Sequence, residues 1–536
     1  MKIELEGNRL SGFRRPWIAI AAALVATSLS AQPSPDFRLE EATIGDVHRA
    51  LESGALTCRA LVGHYLDRIE AYDKDGPELN TVQTLNPRAL DEAAALDASF
   101  QASGLSGPLH CVPVLLKDQV ETSDMETSYG SELFQDFIPQ RDATIVLKMK
   151  QAGAIILAKT TMGEFASRYV GSAFGIIRNA YDPTRNPSGS SGGTASGIAA
   201  NFGLVGIGED TGGSIRGPAA VTSLVGLRPT VPLVSRFGMM PATPATDTLG
   251  PMTRTVTDAA ILLGVIAGYD ENDALTSYAV GRVPDSYSSE LTTDGLAGAR
   301  IGVLRAPMDD KTDPTSEDYR KVRVVIDAAI AALEEAGAVL VDPVVLDKAE
   351  ASFEALQSGD FGTENETDAY LAQHPNAPYK SFSEILLTGK VTPWRASGLI
   401  KAVGKPLEHP HYLPVLLARD ALRLSVMKVM AEHELEALVY ATFDHQTTPI
   451  AHDALTNADT EDRYGLGSNR ALSPATGLPA LTLPAGFTSD GLPVGLELLG
   501  RAFTEATLLK LGYAFEQATH HRRPPATTPP LASEPR

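Results

Sequence analysis

A chain of 536 residues, 43% hydrophobic and 21% charged, has the make-up of a soluble globular protein with ample material for a core. Its 66 acidic and 45 basic side chains leave a formal charge of −21, which repels polyanions and argues against nucleic acid or an anionic membrane surface as partner. Two cysteines, Cys58 and Cys111, allow one disulfide but not a disulfide framework, and their scarcity argues against a cysteine-ligated zinc site.

Residues 1–31 read as a signal peptide. Arg14 and Arg15 form a basic n-region, an apolar run follows from Trp17 to about Leu29, and small residues Ser28, Ser30 and Ala31 mark a cleavage site. The run is short for a membrane span. A periplasmic or secreted location is therefore expected, and the paired arginines leave open whether export is general or twin-arginine.

Residues 32–522 are expected to form one domain. FRLEEATIGDVHRALESGALTCRALVGHYLDRIEAYD places Val47, Leu51, Leu61, Leu66 and Ile69 near helical spacing and predicts two amphipathic helices. VPVLLKD predicts a buried strand that ends on Lys117 and Asp118. DATIVLKMKQAGAIILAKTT predicts a helix, a break at Gly153 and a second buried strand, Ile155 to Ala158, that ends close to Lys159. TVTDAAILLGVIAG is a helix ending near Gly268, and ARIGVL is a strand. Residues 351–466 show weak patterning and long loops. GLPALTLPAGF and LPVGLELLG predict two strands around a turn at Ser489–Gly491, and residues 523–536 are a proline-rich tail expected not to pack. Alternating strands and helices point to an α/β layered fold.

The chemistry concentrates in NPSGSSGGTASGIAANFGLVGIGEDTGGSIRGPAA, Asn186 to Ala220, and no histidine occurs between His110 and His374 to serve a serine there. Gly189-Ser190-Ser191-Gly192-Gly193 fits a nucleophile elbow centred on Ser191, but that motif needs a buried strand before it, and YDPTRNPSGS is polar. A phosphate loop would need a lysine or a glycine spacing that is missing. The third reading starts at the other end. FGLVGIG is a buried strand, EDTGGSIRGPAA turns from it into a helix, and Ser214 stands where it could cap that helix. Gly212 and Gly213 would let the backbone approach a bound group, with N–H donors placed for an oxyanion.

G-S-S-G-G-T-A, then D-T-G-G-S-I-R, then G-L-R-P-T is similar to the glycine–serine signature of the amidase signature family. VPVLLKD, GPMTRTVTDAA and TGLPALTLPAGFTSDGLPVGLELLG match further parts of that family in order, over roughly residues 40 to 520. Ser188 stands where glycine is more usual, and Arg228 where lysine is. The resemblance implies a large central mixed β-sheet covered by helices on both faces, and a Ser–Ser–Lys triad. Ser214 would be the acylated nucleophile, Ser190 the bridging residue beside a cis peptide, and Lys117 the base. Pattern alone does not separate Lys117 from Lys159; the resemblance selects Lys117. Backbone N–H groups of Thr211, Gly212, Gly213 and Ser214 would hold the oxyanion, and Asp210 and Arg216 would brace the loop.

A lysine accepts a proton only when neutral. Bringing its ordinary pKa of about 10.4 to about 7 costs roughly 4.6 kcal/mol, within the reach of burial. The expected activity is hydrolysis of a carboxamide C–N bond, on a small-molecule or short-peptide amide. The alternatives are an amidotransferase A-type subunit, which works with a second protein, or a broad esterase or carbamate hydrolase. No cofactor is implied, and no metal: His409 and His411 lack a third ligand at useful spacing. The resemblance places the acyl pocket around Met162–Ala180 and in the variable middle of the chain; Tyr169, Val170, Phe174, Ile176 and Ile177 read either as its apolar walls or as plain core. The sequence gives no oligomeric state.

Overall fold

Eleven strands form one mixed sheet, and helices flank it. The computed structural model describes residues 37–347, 349–356, 361–460 and 462–535. The predicted signal peptide, residues 1–31, lies outside the described residues.

The strands are β1 (Val82–Leu85), β2 (Pro113–Lys117), β3 (Ile155–Thr160), β4 (Val205–Glu209), β5 (Val225–Arg228) and β6 (Leu249–Thr253), followed by β7 (Arg300–Leu304), β8 (Val339–Val344), β9 (Ala437–Ala441), β10 (Ala480–Phe487) and β11 (Pro493–Leu499). Their spatial order is β1-β3-β2-β4-β6-β5-β10-β11-β9-β7-β8. The predicted strands at VPVLLK, IILA, VGIG, RIGVL and the final pair are all present. β2, β3, β4 and β6 are buried at every position, which is why their sequences read as continuous apolar runs and not as an alternation.

The site depends on the centre of the sheet. β2 runs parallel to β3 on one side and to β4 on the other, with Leu116 opposite Ile207. The carboxyl ends of β2 and β4 therefore emerge side by side, where ligands bind in open α/β sheets. The helix Gly192–Ala199 packs on β2 and β4, and the short helix Arg216–Val221 packs on β5, β10 and β11. The weakly patterned region, 351–466, holds several short helices, the long helix Tyr412–Glu432 and β9.

Cys58, which opens the helix Cys58–Tyr72, is bonded to Cys111 just ahead of β2. The tail departs from expectation. The Arg68 guanidinium is fully buried and donates to Thr528 O at 2.7 Å, to Glu534 Oε1 at 2.6 Å and to Ala200 O at 2.9 Å. A buried guanidinium needs acceptors for its donors, and the tail supplies carbonyls and a carboxylate. Arg522, the residue just before the tail, pairs with Glu41. Low hydrophobicity hid this segment, because polar contacts hold it.

Candidate active site

Lys117 closes β2 and is fully buried. Its Nζ lies 2.7 Å from Ser190 Oγ, 2.8 Å from Glu209 Oε2 and 3.3 Å from Glu209 O. Burial pushes the lysine pKa down, and the Glu209 carboxyl opposes that shift. Burial likewise pushes Glu209 up to about 7 against the pull of Lys117, with Asp247 adding to the rise. Lys159, the rival by pattern, is buried at the end of β3 with its Nζ 2.6 Å from Thr127 Oγ1 and 3.8 Å from Asp118 Oδ1. Burial brings it down to about 8. Among the described residues it makes no hydrogen bond to a serine.

Ser190 sits on the loop before the helix Gly192–Ala199, after a cis Gly189–Ser190 peptide. Gly163 N–H donates to Ser190 O at 3.2 Å, and Tyr464 Oη donates to Gly189 O at 3.2 Å. Gly189 tolerates no side chain, since a Cβ there would lie 1.7 Å from Arg168 O. Ser191 is not an elbow nucleophile: its hydroxyl donates to Glu209 O at 3.1 Å, locking the loop to the end of β4.

Ser214 lies in the turn that joins β4 to the helix Arg216–Val221, and it is 8% exposed. It does not cap that helix. The Asp210 carboxylate takes the role, accepting from Gly213 N at 2.7 Å, Ile215 N at 3.2 Å and Arg216 N at 3.5 Å. Among the described residues the Ser214 hydroxyl makes no hydrogen bond, and the longer-reaching carboxylate takes these donors. Among the described residues the N–H groups of Thr211, Gly212 and Ser214 have no hydrogen-bond partner, whereas Gly213 N–H is committed to Asp210. Of the four N–H groups expected to hold the oxyanion, three are therefore unpaired among the described residues.

Asp210 and Arg216 brace the turn as expected. Asp210 pairs with Arg216 Nε at 3.1 Å and Arg228 Nη1 at 3.0 Å, and Arg216 also pairs with Glu497 of β11. Burial alone would raise the Asp210 pKa, but the two guanidiniums outweigh it and hold the carboxyl far below its usual range. Arg470 carries no signal in the sequence. Its Nη1 reaches Gly213 O at 3.1 Å and Ser188 Oγ at 3.4 Å, so it joins the nucleophile turn to the Ser190 loop. Glu209 also escapes the sequence reading, although it ends an apolar strand on a charge just as Lys117 does.

A cavity is lined in part by residues close in sequence to this cluster. Gln119, Tyr129, Met162, Phe165, Met240 and Leu399 are among its walls. Gln119 is two residues past Lys117, and Met162 precedes the Gly163 that holds Ser190. Tyr169, Val170 and Ile176 do not line it. They pack with Trp394 and Ala454, and Tyr169 Oη donates to Asp462 at 2.7 Å. This cavity draws its lining from residues nearer Met162 and from the helical region after residue 360, while Tyr169, Val170 and Ile176 follow the core alternative.

The amidase family model matches residues 60–509. The chain belongs to the amidase signature family. The A-type subunit of glutamyl-tRNA(Gln) amidotransferase from Alkaliphilus metalliredigens is 34% identical over 90% of this chain and 97% of its own. The native peptide amidase from Stenotrophomonas maltophilia superposes with a TM-score of 0.80 at 36% identity, over 92% of this chain and all of that one. The A-type subunit of the glutamyl-tRNA(Gln) amidotransferase from Thermotoga maritima superposes at 0.68 with 25% identity, over 90% and 96%. As an amidase signature protein the chain is an enzyme acting on amide C–N bonds, and the mixed sheet flanked by helices is the architecture it shares with those solved enzymes.

Proposed function

We propose that the chain hydrolyses a carboxamide through an acyl-enzyme on Ser214, with Ser190 and Lys117 as the proton relay. The observation that carries this reading is the 2.7 Å contact between the buried Lys117 Nζ and Ser190 Oγ, beside a turn that offers free N–H donors. Neutral Lys117 takes the Ser190 proton, Ser190 takes that of Ser214, and Ser214 Oγ attacks the carbonyl carbon. The N–H groups of Thr211, Gly212 and Ser214 receive the developing oxyanion. The proton returns through Ser190 to the departing amine, and water then releases the acid.

The cavity walls suit a substrate with an apolar group. Gln119 Oε1 lacks a partner among the described residues and would accept an N–H of the substrate. Esters and carbamates are expected side substrates, since acylation of serine does not require an amide. An exported enzyme fits the signal-peptide layout, and the Cys58–Cys111 bridge suits an oxidising compartment.

The name shared by the curated relatives favours a second reading, in which the chain is the A-type component of an amidotransferase and works with partner chains. The closer superposition on the peptide amidase, together with the signal-peptide layout, supports the stand-alone hydrolase. The deciding measurement is ammonia release by the purified single chain. Release from peptide amides without any partner supports the hydrolase; activity confined to glutamine, or requiring a second protein, supports the amidotransferase component.

A further inference from the structure

Thr211 Oγ1 lies 2.6 Å from Glu209 Oε1 and 2.7 Å from Asp247 Oδ1. A hydroxyl carries one proton, and an ionised carboxylate only accepts. Two carboxylates cannot both receive that proton, so one of the two must itself be an acid that donates to Thr211. Asp247 is fitted to be the anion. It accepts from Ala242 N at 2.8 Å and from Thr243 N at 3.0 Å, in addition to the threonine hydroxyl. The acid is then Glu209.

We infer that Glu209 is held as the neutral acid, a positioning residue whose retained proton keeps Lys117 a free amine. The chain of donors runs Glu209 Oε1–H to Thr211 Oγ1, and Thr211 Oγ1–H to Asp247. On the other side the hydrogen bonds close in the same sense. A neutral amine has two protons and one lone pair. The protons go to Glu209 Oε2 and Glu209 O, which only accept, and the lone pair is left facing Ser190 Oγ, whose O–H donates to it. The charge state a base needs is thereby the one state that satisfies every group. Moving from ion pair to this state transfers one proton from Nζ to the carboxyl and exports none to solvent.

The charged and titratable groups around Glu209 are Lys117 from β2, Asp247 from the loop before β6, its neighbour Asp210, and Arg228 from β5, which is already paired with Asp210. No second cation therefore lies within ion-pair distance of the Glu209 carboxyl among the described residues. The rise of Glu209 to about 7, from burial first and Asp247 second, agrees with this arrangement.

The inference rests on the proposed role of Lys117 as base, and its test separates the two. The infrared difference spectrum at pH 7, full chain minus Glu209→Gln, is expected to contain the carbonyl stretch of a neutral carboxylic acid. Carboxylate bands in its place overturn the inference, whatever the activity. The pH profile of kcat/KM is the second measurement. Glutamine reproduces the acid's donor and acceptor, so Glu209→Gln should lose less than about tenfold and keep its acid limb within about half a unit, whereas Glu209→Leu should lose about a hundredfold or more. An acid limb that drops by two or more units in Glu209→Gln would mark a resting ion pair and refute the proposal, as would equal rates for the two variants. Failure of the base assignment shows separately, as turnover surviving in Lys117→Met.

Discussion

Replacing Asp210 by asparagine keeps the shape of the nucleophile turn and removes the charge at its centre. Asp210 Oδ1 accepts from Gly213 N and Arg228 Nη1, and Oδ2 accepts from Ile215 N and Arg216 Nε. Whichever way the amide is turned, its NH2 faces a backbone donor and a guanidinium. Breaking one partner out of a buried ion cluster costs about 3–5 kcal/mol. With an unfolding entropy of about 2.1 cal/mol/K per residue, a chain of this size loses about 1 °C per kcal/mol, so Tm should fall by about 3–5 °C. The turn also aims the oxyanion donors, whose loss typically costs about 10²–10³-fold in kcat. Because the folded pKa of Asp210 is depressed, its contribution is fully present above the unfolded value of about 3.9 and is lost as pH falls toward the folded one. The stability gap between wild type and Asp210→Asn should accordingly be constant near neutrality and close below about pH 4. Calorimetry across pH, paired with turnover on an amide, reads both effects. A variant that melts within a degree of wild type and keeps its kcat would refute the bracing role.

Lys117→Ala, Ser190→Ala and Ser214→Ala should each lower amide turnover by about three orders of magnitude or more, and full activity in any one breaks the relay. Reducing or deleting the Cys58–Cys111 bridge, which spans 53 residues, should cost about 4 kcal/mol by the loop-entropy relation, read as a lower denaturation midpoint for the Cys58→Ser/Cys111→Ser pair. Glu534→Leu leaves Arg68 buried without its carboxylate and should destabilise by about 3 kcal/mol or more; a midpoint equal to wild type would mean the tail contributes nothing.

The sheet centre was legible because strands buried on both faces write themselves as unbroken apolar runs, and charges at their ends stand out. Lys117 could be read this way, as could Lys159; pattern alone did not separate them, the family resemblance pointed to Lys117, and the contact with Ser190 is made by Lys117. Three things were not legible. Arg470 and Asp247 come from distant loops, and nothing local marks a side chain that reaches 3.1 Å from Gly213 O after a separation of 257 residues. The packed tail was unreadable because its anchor, Arg68, lies on the far side of the sequence. A local N-cap rule points to Ser214 because it does not see a carboxylate arriving from four residues upstream.

The register of β2 against β4 makes Lys117 and Glu209 a coupled unit, and this leads to a test that needs no activity at all. Leu116 stands opposite Ile207, so the lysine emerges next to Gly208 and directly beside the carboxyl that follows it. Gly208 tolerates no side chain, since a Cβ there would press within 2.6 Å of Met252 Sδ. Two such groups fully out of water interact either as ions or as neutral hydrogen-bond partners, and the two cases differ in size. A neutral pair contributes about 0.5–1.5 kcal/mol net, whereas breaking a buried ion pair costs about 3–5 kcal/mol. A double-mutant cycle on folding stability with Lys117→Met and Glu209→Gln isolates that coupling. If Glu209 keeps its proton, each single variant strands no charge and the coupling should be about 1 kcal/mol. A coupling of about 3 kcal/mol or more would mean that a carboxylate faces an ammonium in the resting enzyme, and that the lysine must be discharged by some other means before it can act.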